Sequence, residues 1–193
     1  MSFFLDETRF GLVSDNRRQR VWRGPGRQER LSFAREVVPY QGRSVMFWGG
    51  IMYGRRTQLI PIPDTMTGDR YVRNIIEPII YPLRNEIGDN FIFMDDNARP
   101  HRTRRVQNAL EIEDIQRLPW PANSPDMNPI EHMWDFVGRA ISNRINPSTL
   151  QELTLAAQEE WNNIPMDTIN ALIVSMHRRV NTLLQNRGRH TEY

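Results

Sequence analysis

The first third of the chain carries a strand-like pattern of apolar and polar positions. The stretch "SFFLDETRFGLV" predicts a strand that ends near Asp6, followed by a turn and a second strand, and "RQRVWR" is the expected hairpin partner. The stretch "RSVMFWGGIMYGRRTQLIPIP" is rich in β-branched and aromatic residues with glycine breaks, and predicts two strands around a turn at 53–56. This part of the chain should therefore consist of antiparallel strands.

Helical spacing begins after residue 67. Apolar residues at 72, 75, 76, 79, 80 and 83 predict a helix that Gly88 ends and that Pro78 and Pro82 kink or break. "NFIFMDDN" then predicts a short buried strand, "RPHRTRRVQNALE" a helix, and "IQRLPW" another short strand. Strands that alternate with helices after an antiparallel start predict an α/β fold with a mixed sheet.

Three more helices are predicted in the last third of the chain. One runs from about Pro129 to Ser142, and its apolar residues Trp134, Phe136 and Val137 are expected in the core. The second begins at a capping box, and the third has a proline in its first turn. The capping box starts at Ser148, and the proline is Pro165.

Length and composition describe an ordinary single domain. The chain has 193 residues, without repeats or low-complexity linkers, so one domain spanning 1–193 is expected. The lack of cysteine excludes disulfides and thiolate metal sites, and suits a reducing compartment. No apolar stretch approaches the ~20 residues of a membrane span, and the N-terminus carries no signal pattern, so a soluble intracellular protein without membrane contact is expected.

All 25 basic residues are arginines, and many of them are clustered. The arginine side chain pairs bidentately with phosphate and stacks on bases, so clusters of it are typical of nucleic-acid binding. A compositional bias of the genome or a solvated loop would produce the same pattern. One cluster contains Arg17, Arg18, Arg20, Arg23, Arg27 and Arg30, and the other contains Arg99, Arg102, Arg104 and Arg105.

Three carboxylates lie where predicted strands end or a helix begins. Asp6 ends the first predicted strand, Asp96 follows "FIFMD", and Glu131 lies in the first turn after "SPDMNP". Asp95 and Asp96 are adjacent and should point to opposite faces of a sheet, so only one of them can join a given cluster. Any one of these acids alone would be read as a turn former or as an ordinary helix-start residue.

The proline-rich approach to Glu131 fixes where its helix begins. Asn128 can cap the helix, and Pro129 suits its first position. Glu131 then lies near the positive end of the helix dipole, which favours its negative charge. Clustered carboxylates without cysteine suit Mg²⁺ or Mn²⁺ far better than zinc.

The motifs "LDETRF", "MDDNARPH" and "SPDMNPIEHMW" resemble the catalytic domain of the Tc/mariner superfamily of DNA transposases, which has a ribonuclease H-like fold. They occur in the family's order, and 34 residues (97–130) separate Asp96 from Glu131, as is typical of its Asp, Asp, Glu branch. The terminal "RGRHTEY" is also similar to the family's C-terminus. Asp96 is preferred to Asp95 because the family's catalytic acid directly precedes an asparagine, here Asn97.

The resemblance implies a metal-binding triad that performs two phosphoryl transfers on DNA. Two Mg²⁺ ions, for which Mn²⁺ can substitute, would be held by Asp6, Asp96 and Glu131. Water would attack the transposon-end phosphodiester, and the freed 3′-hydroxyl would attack target DNA at a TA dinucleotide. The implied supporting residues are Asn97, Asn128 and Pro129.

The resemblance also implies partners and a cellular location. Double-stranded DNA, a second copy of the chain and the nucleus are expected. His101 matches the family's motif histidine, which is either a DNA contact or a plain helix-start residue. The expected DNA-binding residues are Arg17, Arg18, Arg20, Arg23, Arg27, Arg99, His101 and Arg102.

One departure from the family keeps two other functions open. The family's N-terminal pair of helix-turn-helix modules, which recognise the inverted repeats, has no counterpart in this sequence. The chain could therefore be a catalytically inactive, transposase-derived DNA-binding or interaction domain. A general ribonuclease H-like nuclease that acts on other nucleic acids is a third reading.

Overall fold

Six strands form one mixed sheet in the computed structural model, which describes residues 2–12, 43–121, 124 and 127–185. The sheet has the order β3-β2-β1-β5-β6, with β4 also paired to β2. The first strand is antiparallel to the second and parallel to the fifth, so the predicted mixed sheet is confirmed. The strands are β1 (Ser2–Gly11), β2 (Ser44–Met52), β3 (Arg55–Arg56), β4 (Ile60–Ile62), β5 (Ile92–Met94) and β6 (Gln116–Arg117).

The predicted turn near Asp6 is wrong, because β1 runs through this residue without a break. Its ladder with β2 is continuous from the pair Phe4–Ile51 to the pair Gly11–Ser44. No glycine or proline interrupts residues 6–10, and pairing with β2 satisfies the backbone groups that point to that side of the strand. Asp6 therefore lies in the middle of the central strand. The predicted hairpin partner "RQRVWR" lies outside the described residues.

Helices cover both faces of the sheet. The first face carries α1 (Gly68–Tyr71), a π-helical stretch (Val72–Ile80), α2 (Tyr81–Ile87) and α3 (Arg104–Ile112). The second face carries α4 (Ile130–Ala140), continued by a π-helical stretch (Ile141–Ile145), then α5 (Leu150–Asn163) and α6 (Met166–Gln185). Along the described ranges, no helix is long and apolar enough to cross a membrane.

Two hydrophobic cores result, one on each face, because successive side chains of β1 point to opposite sides. On the first face Phe3 and Leu5 pack against α3 and against the continuous helix formed by α1, the π-helical stretch and α2. On the second face Phe4 packs with α4, α5 and α6. Trp134 and Val137 belong to the second core as predicted, whereas Phe136 is 50% exposed, so its predicted place in the core is wrong. It lies two residues from Trp134 on the helix and therefore faces another direction.

Two local predictions need correction. Pro78 does not break its helix, because it lies in the π-helical stretch that joins α1 to α2. Around it the backbone hydrogen bonds join residues five apart instead of four. The cap of α5 is Thr149 rather than Ser148, since the Thr149 hydroxyl accepts from the Glu152 amide at 3.1 Å. The Glu152 carboxylate reaches back to the Ser148 amide at 2.9 Å, one residue further than a capping box requires.

Candidate active site

Asp6 of β1 and Glu131 of the first turn of α4 are electrostatically coupled on the second face of the sheet. Burial, followed by the negative charges of Glu131 and Glu7, raises the pKa of the Asp6 carboxyl to about 8. Two predicted site residues that are 125 positions apart in the sequence are thus brought together. The pair carries mutual repulsion that a bound cation would relieve.

Asn128 joins the start of α4 to the central strand. Its buried side-chain amide donates to the Leu5 carbonyl at 3.3 Å and accepts from the Ile130 amide at 3.4 Å. Pro129 directly precedes the helix with a helical φ of −64°, one residue earlier than the predicted first position. Because Leu5 is the neighbour of Asp6, this contact fixes the start of α4 relative to Asp6.

Trp134 is a contact of the site that the sequence analysis assigned to the core alone. Its indole Nε1 donates to Asp6 Oδ2 at 3.2 Å, and its ring stacks on Trp161 with centroids 5.1 Å apart. Gly49 pairs with Asp6 across the ladder and leaves room for both indoles. The available signal was position, because Trp134 follows Glu131 by three residues on the same side of the helix.

The adjacent aspartates have different surroundings. Asp95 is fully buried, at 0% exposure, and forms ion pairs with Arg117 at 3.1 Å and Arg102 at 3.3 Å. Burial raises the pKa of the Asp95 carboxyl, and the charge of Arg117 opposes that rise. Asp96 is 44% exposed and follows β5. Phe4 pairs with Met94, the last residue of β5, so Asp96 lies two residues beyond the end of the strand that neighbours β1. This arrangement favours Asp96 over Asp95 as the site residue.

His101 connects Asp96 to a carboxylate that sequence reasoning missed. Its Nδ1 lies 2.7 Å from Asp96 Oδ1 and its Nε2 lies 3.1 Å from Glu7 Oε1, while the ring is 1% exposed. Burial lowers the pKa of the imidazole, but the hydrogen bonds to Asp96 and Glu7 outweigh it and raise the pKa to about 10. The ring is therefore a cation that donates to both carboxylates. The missed signal was strand alternation, which turns Glu7 away from Asp6.

Asn97 and Arg102 brace the loop that carries Asp96. The Arg102 guanidinium donates to the Asp96 carbonyl at 3.0 Å and to Asn97 Oδ1 at 2.8 Å. The Asn97 amide donates to the Trp120 carbonyl at 2.9 Å. In this conformation His101 is buried, whereas Arg99 and Arg102 are exposed, and the Arg102 guanidinium is bonded to the Asp96 loop. Their DNA contacts stay predictions, and Arg17, Arg18, Arg20, Arg23 and Arg27 lie outside the described residues.

Comparisons with known proteins identify the family. Residues 2–154 match the DDE superfamily endonuclease family. The chain belongs to the DDE superfamily endonucleases. It is 31% identical over 192 residues to the transposable element Tcb2 transposase of Caenorhabditis briggsae, covering 98% of this chain and 69% of that one. It is 32% identical over 190 residues to the transposable element Tc1 transposase of Caenorhabditis elegans, covering 97% and 68%. This endonuclease domain is thus a member of the Tc/mariner group.

Solved structures of a mariner transposase share the fold of this endonuclease domain. The Mos1 transposase in a paired-end complex with the left transposon end superposes with a TM-score of 0.77 at 21% identity, covering 99% of this chain and 56% of that chain. The crystal structure of the Mos1 catalytic domain gives a TM-score of 0.75 at 18% identity and is covered over 84% of its length. The predicted ribonuclease H-like fold is confirmed. The chain spans little more than half of the Mos1 chain in the paired-end complex.

The donor set fits a hard divalent cation. Across residues 2–12, 43–121, 124 and 127–185, no three Asp, Glu or His side chains converge into a ready-made metal site. Asp6 and Glu131 nevertheless offer coupled carboxylate oxygens, which are the ligands that Mg²⁺ and Mn²⁺ prefer. Asp96 Oδ1 accepts from the Ala98 amide at 2.9 Å as well as from His101, which leaves Oδ2 as the oxygen for a cation.

Proposed function

We propose that this chain performs the metal-dependent DNA cleavage and strand transfer of a Tc/mariner transposase, with Asp6, Asp96 and Glu131 as its catalytic residues. The observation that carries the proposal is the electrostatic coupling of Asp6 to Glu131, two partly buried carboxylates, with Asp96 just beyond the end of the neighbouring strand β5. Two carboxylates without a cation would gain no stability from this arrangement. Each negative charge raises the free-energy cost of keeping the other one ionised. A pair that binds a cation turns the same repulsion into affinity.

The proposed cofactors are two Mg²⁺ ions, for which Mn²⁺ can substitute. Mos1 catalytic-domain structures with Mg and with Mn support this choice. Bound cations would activate the attacking oxygen and neutralise charge on the phosphate. The chain's own residues hold the site in place: the Trp134 indole fixes one oxygen of Asp6, and Asn128 anchors the helix that carries Glu131.

The proposed substrate is double-stranded DNA, cleaved at transposon ends and joined to a TA target by the freed 3′-hydroxyl. The paired-end complex of Mos1 with a transposon end supports DNA as the partner. Exposed Arg99, beside the Asp96 loop, is suited to a phosphate contact. We further propose that the chain acts as a homodimer in the nucleus.

Plasmid nicking tests the proposal. Purified wild type should nick supercoiled DNA with Mn²⁺ and lose this activity with a chelator. Asp96→Asn and Glu131→Gln should each reduce nicking at least about 100-fold, the scale of lost electrostatic transition-state stabilisation. Asp114→Asn is the matched control, since Asp114 is exposed and asparagine tolerates its positive φ of 47°. Nicking that survives Asp96→Asn unchanged contradicts the assignment.

A second candidate function is that of a non-catalytic DNA-binding domain. It is favoured by one observation, namely that the three carboxylates are not gathered into a ready-made site within the described ranges. It predicts DNA binding that weakens steeply with salt, without cleavage. In that case Asp96→Asn should leave the DNA affinity unchanged in the presence and in the absence of Mn²⁺, whereas a metal-dependent site predicts a difference only when Mn²⁺ is present.

A further inference from the structure

Glu7 lies next to Asp6 on β1 but serves the opposite face of the sheet. It pairs with Trp48 across the ladder and shares its face with Phe3 and Leu5. Its side chain is only 14% exposed, and Oε1 lies 3.1 Å from His101 Nε2. A buried carboxylate needs a partner, and here that partner is the ring that also holds Asp96.

The His101 ring is held on several sides. One face lies against Tyr71, with ring centroids 4.3 Å apart. The backbone is fixed as well, because the His101 amide donates to the Ala98 carbonyl at 3.0 Å and the His101 carbonyl accepts from Arg117 at 3.1 Å. With Nε2 fixed on Glu7, Nδ1 can point in only one direction, which is toward Asp96 Oδ1.

Asp96 needs this support because its side chain is partly solvent-exposed and could otherwise rotate. Its Oδ1 receives two donors, His101 Nδ1 at 2.7 Å and the Ala98 amide at 2.9 Å. With Oδ1 held in this way, the plane of the carboxylate is set and Oδ2 is left for a cation. Hydrogen-bonded partners behind a ligand set its orientation and thereby its metal affinity.

We propose that Glu7 is a positioning residue for Asp96, acting through His101, and that it thereby controls the metal affinity of the site. The inference rests on the proposed function, since it requires Asp96 to be a metal ligand. Loss of the Glu7 contact should weaken Mn²⁺ binding by about 10- to 100-fold, as is typical when the partner of a metal ligand is removed.

Three substitutions at Glu7 separate hydrogen bonding from charge and size. Glu7→Leu removes the acceptor, and Glu7→Asp keeps the charge but withdraws the carboxylate by one methylene. Glu7→Gln keeps an oxygen acceptor at the same distance from the backbone. Its Mn²⁺ affinity should stay within about three-fold of wild type, a much smaller change than the loss expected for Glu7→Leu and Glu7→Asp. The control Ile76→Val removes a buried methyl from the same core and takes away no hydrogen-bonding group.

Two readouts are needed, and only one of them involves metal. Mn²⁺ affinity is measured by calorimetry with a duplex oligonucleotide present, at a temperature where circular dichroism shows each variant folded. Nitrogen-15 NMR then follows the ring N–H protons of His101, which is one of only 4 histidines in the chain. A ring Nε2–H signal protected from solvent exchange is expected for wild type and Glu7→Gln, and its loss is expected for Glu7→Asp and Glu7→Leu, since Nε2 is the atom that faces Glu7.

The outcomes distinguish the inference from the proposed function. Weaker Mn²⁺ binding in Glu7→Asp and Glu7→Leu, with affinity restored in Glu7→Gln and unchanged in Ile76→Val, supports the inference. Unchanged Mn²⁺ affinity in folded Glu7→Asp overturns it, and if Asp96→Asn still abolishes binding the proposed function stands. If Asp96→Asn leaves Mn²⁺ binding unchanged, the proposed function fails and the inference fails with it. Should Glu7→Leu not fold, Glu7→Asp and Glu7→Gln decide alone.

Discussion

Substitution of Gly49 by alanine tests how tightly the site is packed around Asp6. A Cβ atom built at Gly49 would lie 2.9 Å from the Cη2 atoms of both Trp134 and Trp161. The two indoles cannot move apart freely, since they stack on each other and each is anchored at its nitrogen. Trp134 is bonded to Asp6 at 3.2 Å, and Trp161 is bonded to the Thr57 carbonyl at 2.8 Å.

Two opposing effects decide the magnitude. Ordinary contact begins near 3.4 Å, so each ring must give way by about 0.5 Å from its contact at 2.9 Å. Overpacking of this kind costs about 1–3 kcal/mol of the free energy of unfolding. Alanine recovers about 0.4–1 kcal/mol by restricting the unfolded backbone. We therefore expect Gly49→Ala to destabilise the fold by about 1–2 kcal/mol and to weaken the Trp134–Asp6 hydrogen bond.

Urea denaturation followed by tryptophan fluorescence measures this change as a lower midpoint at constant slope. Gly138→Ala is the matched control. Gly138 lies within α4, and a Cβ atom there would contact the Phe10 ring at an ordinary 3.4 Å. Helix propensity predicts that this control gains about 0.5–1 kcal/mol. A Gly49→Ala protein that is as stable as the wild type or more stable would refute the packing argument.

Three further substitutions give separate results. Trp134→Phe keeps most of the ring but removes the donor to Asp6, and should cost about 1–3 kcal/mol in urea denaturation and reduce nicking; unchanged nicking would contradict a role at the site. Asn128→Ala leaves a buried β1 carbonyl without its donor and should cost about 1–3 kcal/mol in thermal denaturation; a smaller loss would mean that water replaces the amide. Thr149→Ala should cost about 1 kcal/mol as a lost cap, and Ser148→Ala markedly less; equal losses would restore Ser148 as the cap.

The parts of the fold that sequence reasoning reached are those set by local patterns. The helical spacing after residue 67 and the β-branched run of β2 reflect which faces are buried, and burial repeats at short range. The position of Glu131 was accessible for the same reason, because Asn128 and Pro129 fix the helix start within a few residues. Alternation predicted different surroundings for Asp95 and Asp96, and Asp95 is buried whereas the Asp96 side chain is partly exposed.

The errors concern contacts between distant parts of the chain. The turn expected near Asp6 is absent, because a ladder with β2, some forty residues away, holds these polar residues extended. Glu7 drew no attention because its partner His101 lies 94 positions away. Trp134 was assigned to the core alone, because its position in the helical pattern predicts burial but not whether its indole nitrogen forms a hydrogen bond. Periodicity identifies the buried face of an element, but it does not predict which polar atoms form hydrogen bonds with each other.

The central place of β1 has a consequence for how the protein folds. Its pairing with β5 joins Ser2 to Ile92, and its contact with α4 joins Asp6 to Trp134 across 128 positions. Closing such long loops is slow, so we expect the β1–β2 ladder to form before β5 and α4 join β1, with one edge of β1 still open. That edge can pair with another chain until β5 arrives, and aggregation during refolding should therefore rise with protein concentration. Recovery of nicking should lag behind recovery of strand signal in circular dichroism, since the contact between β1 and α4 closes the longest loop.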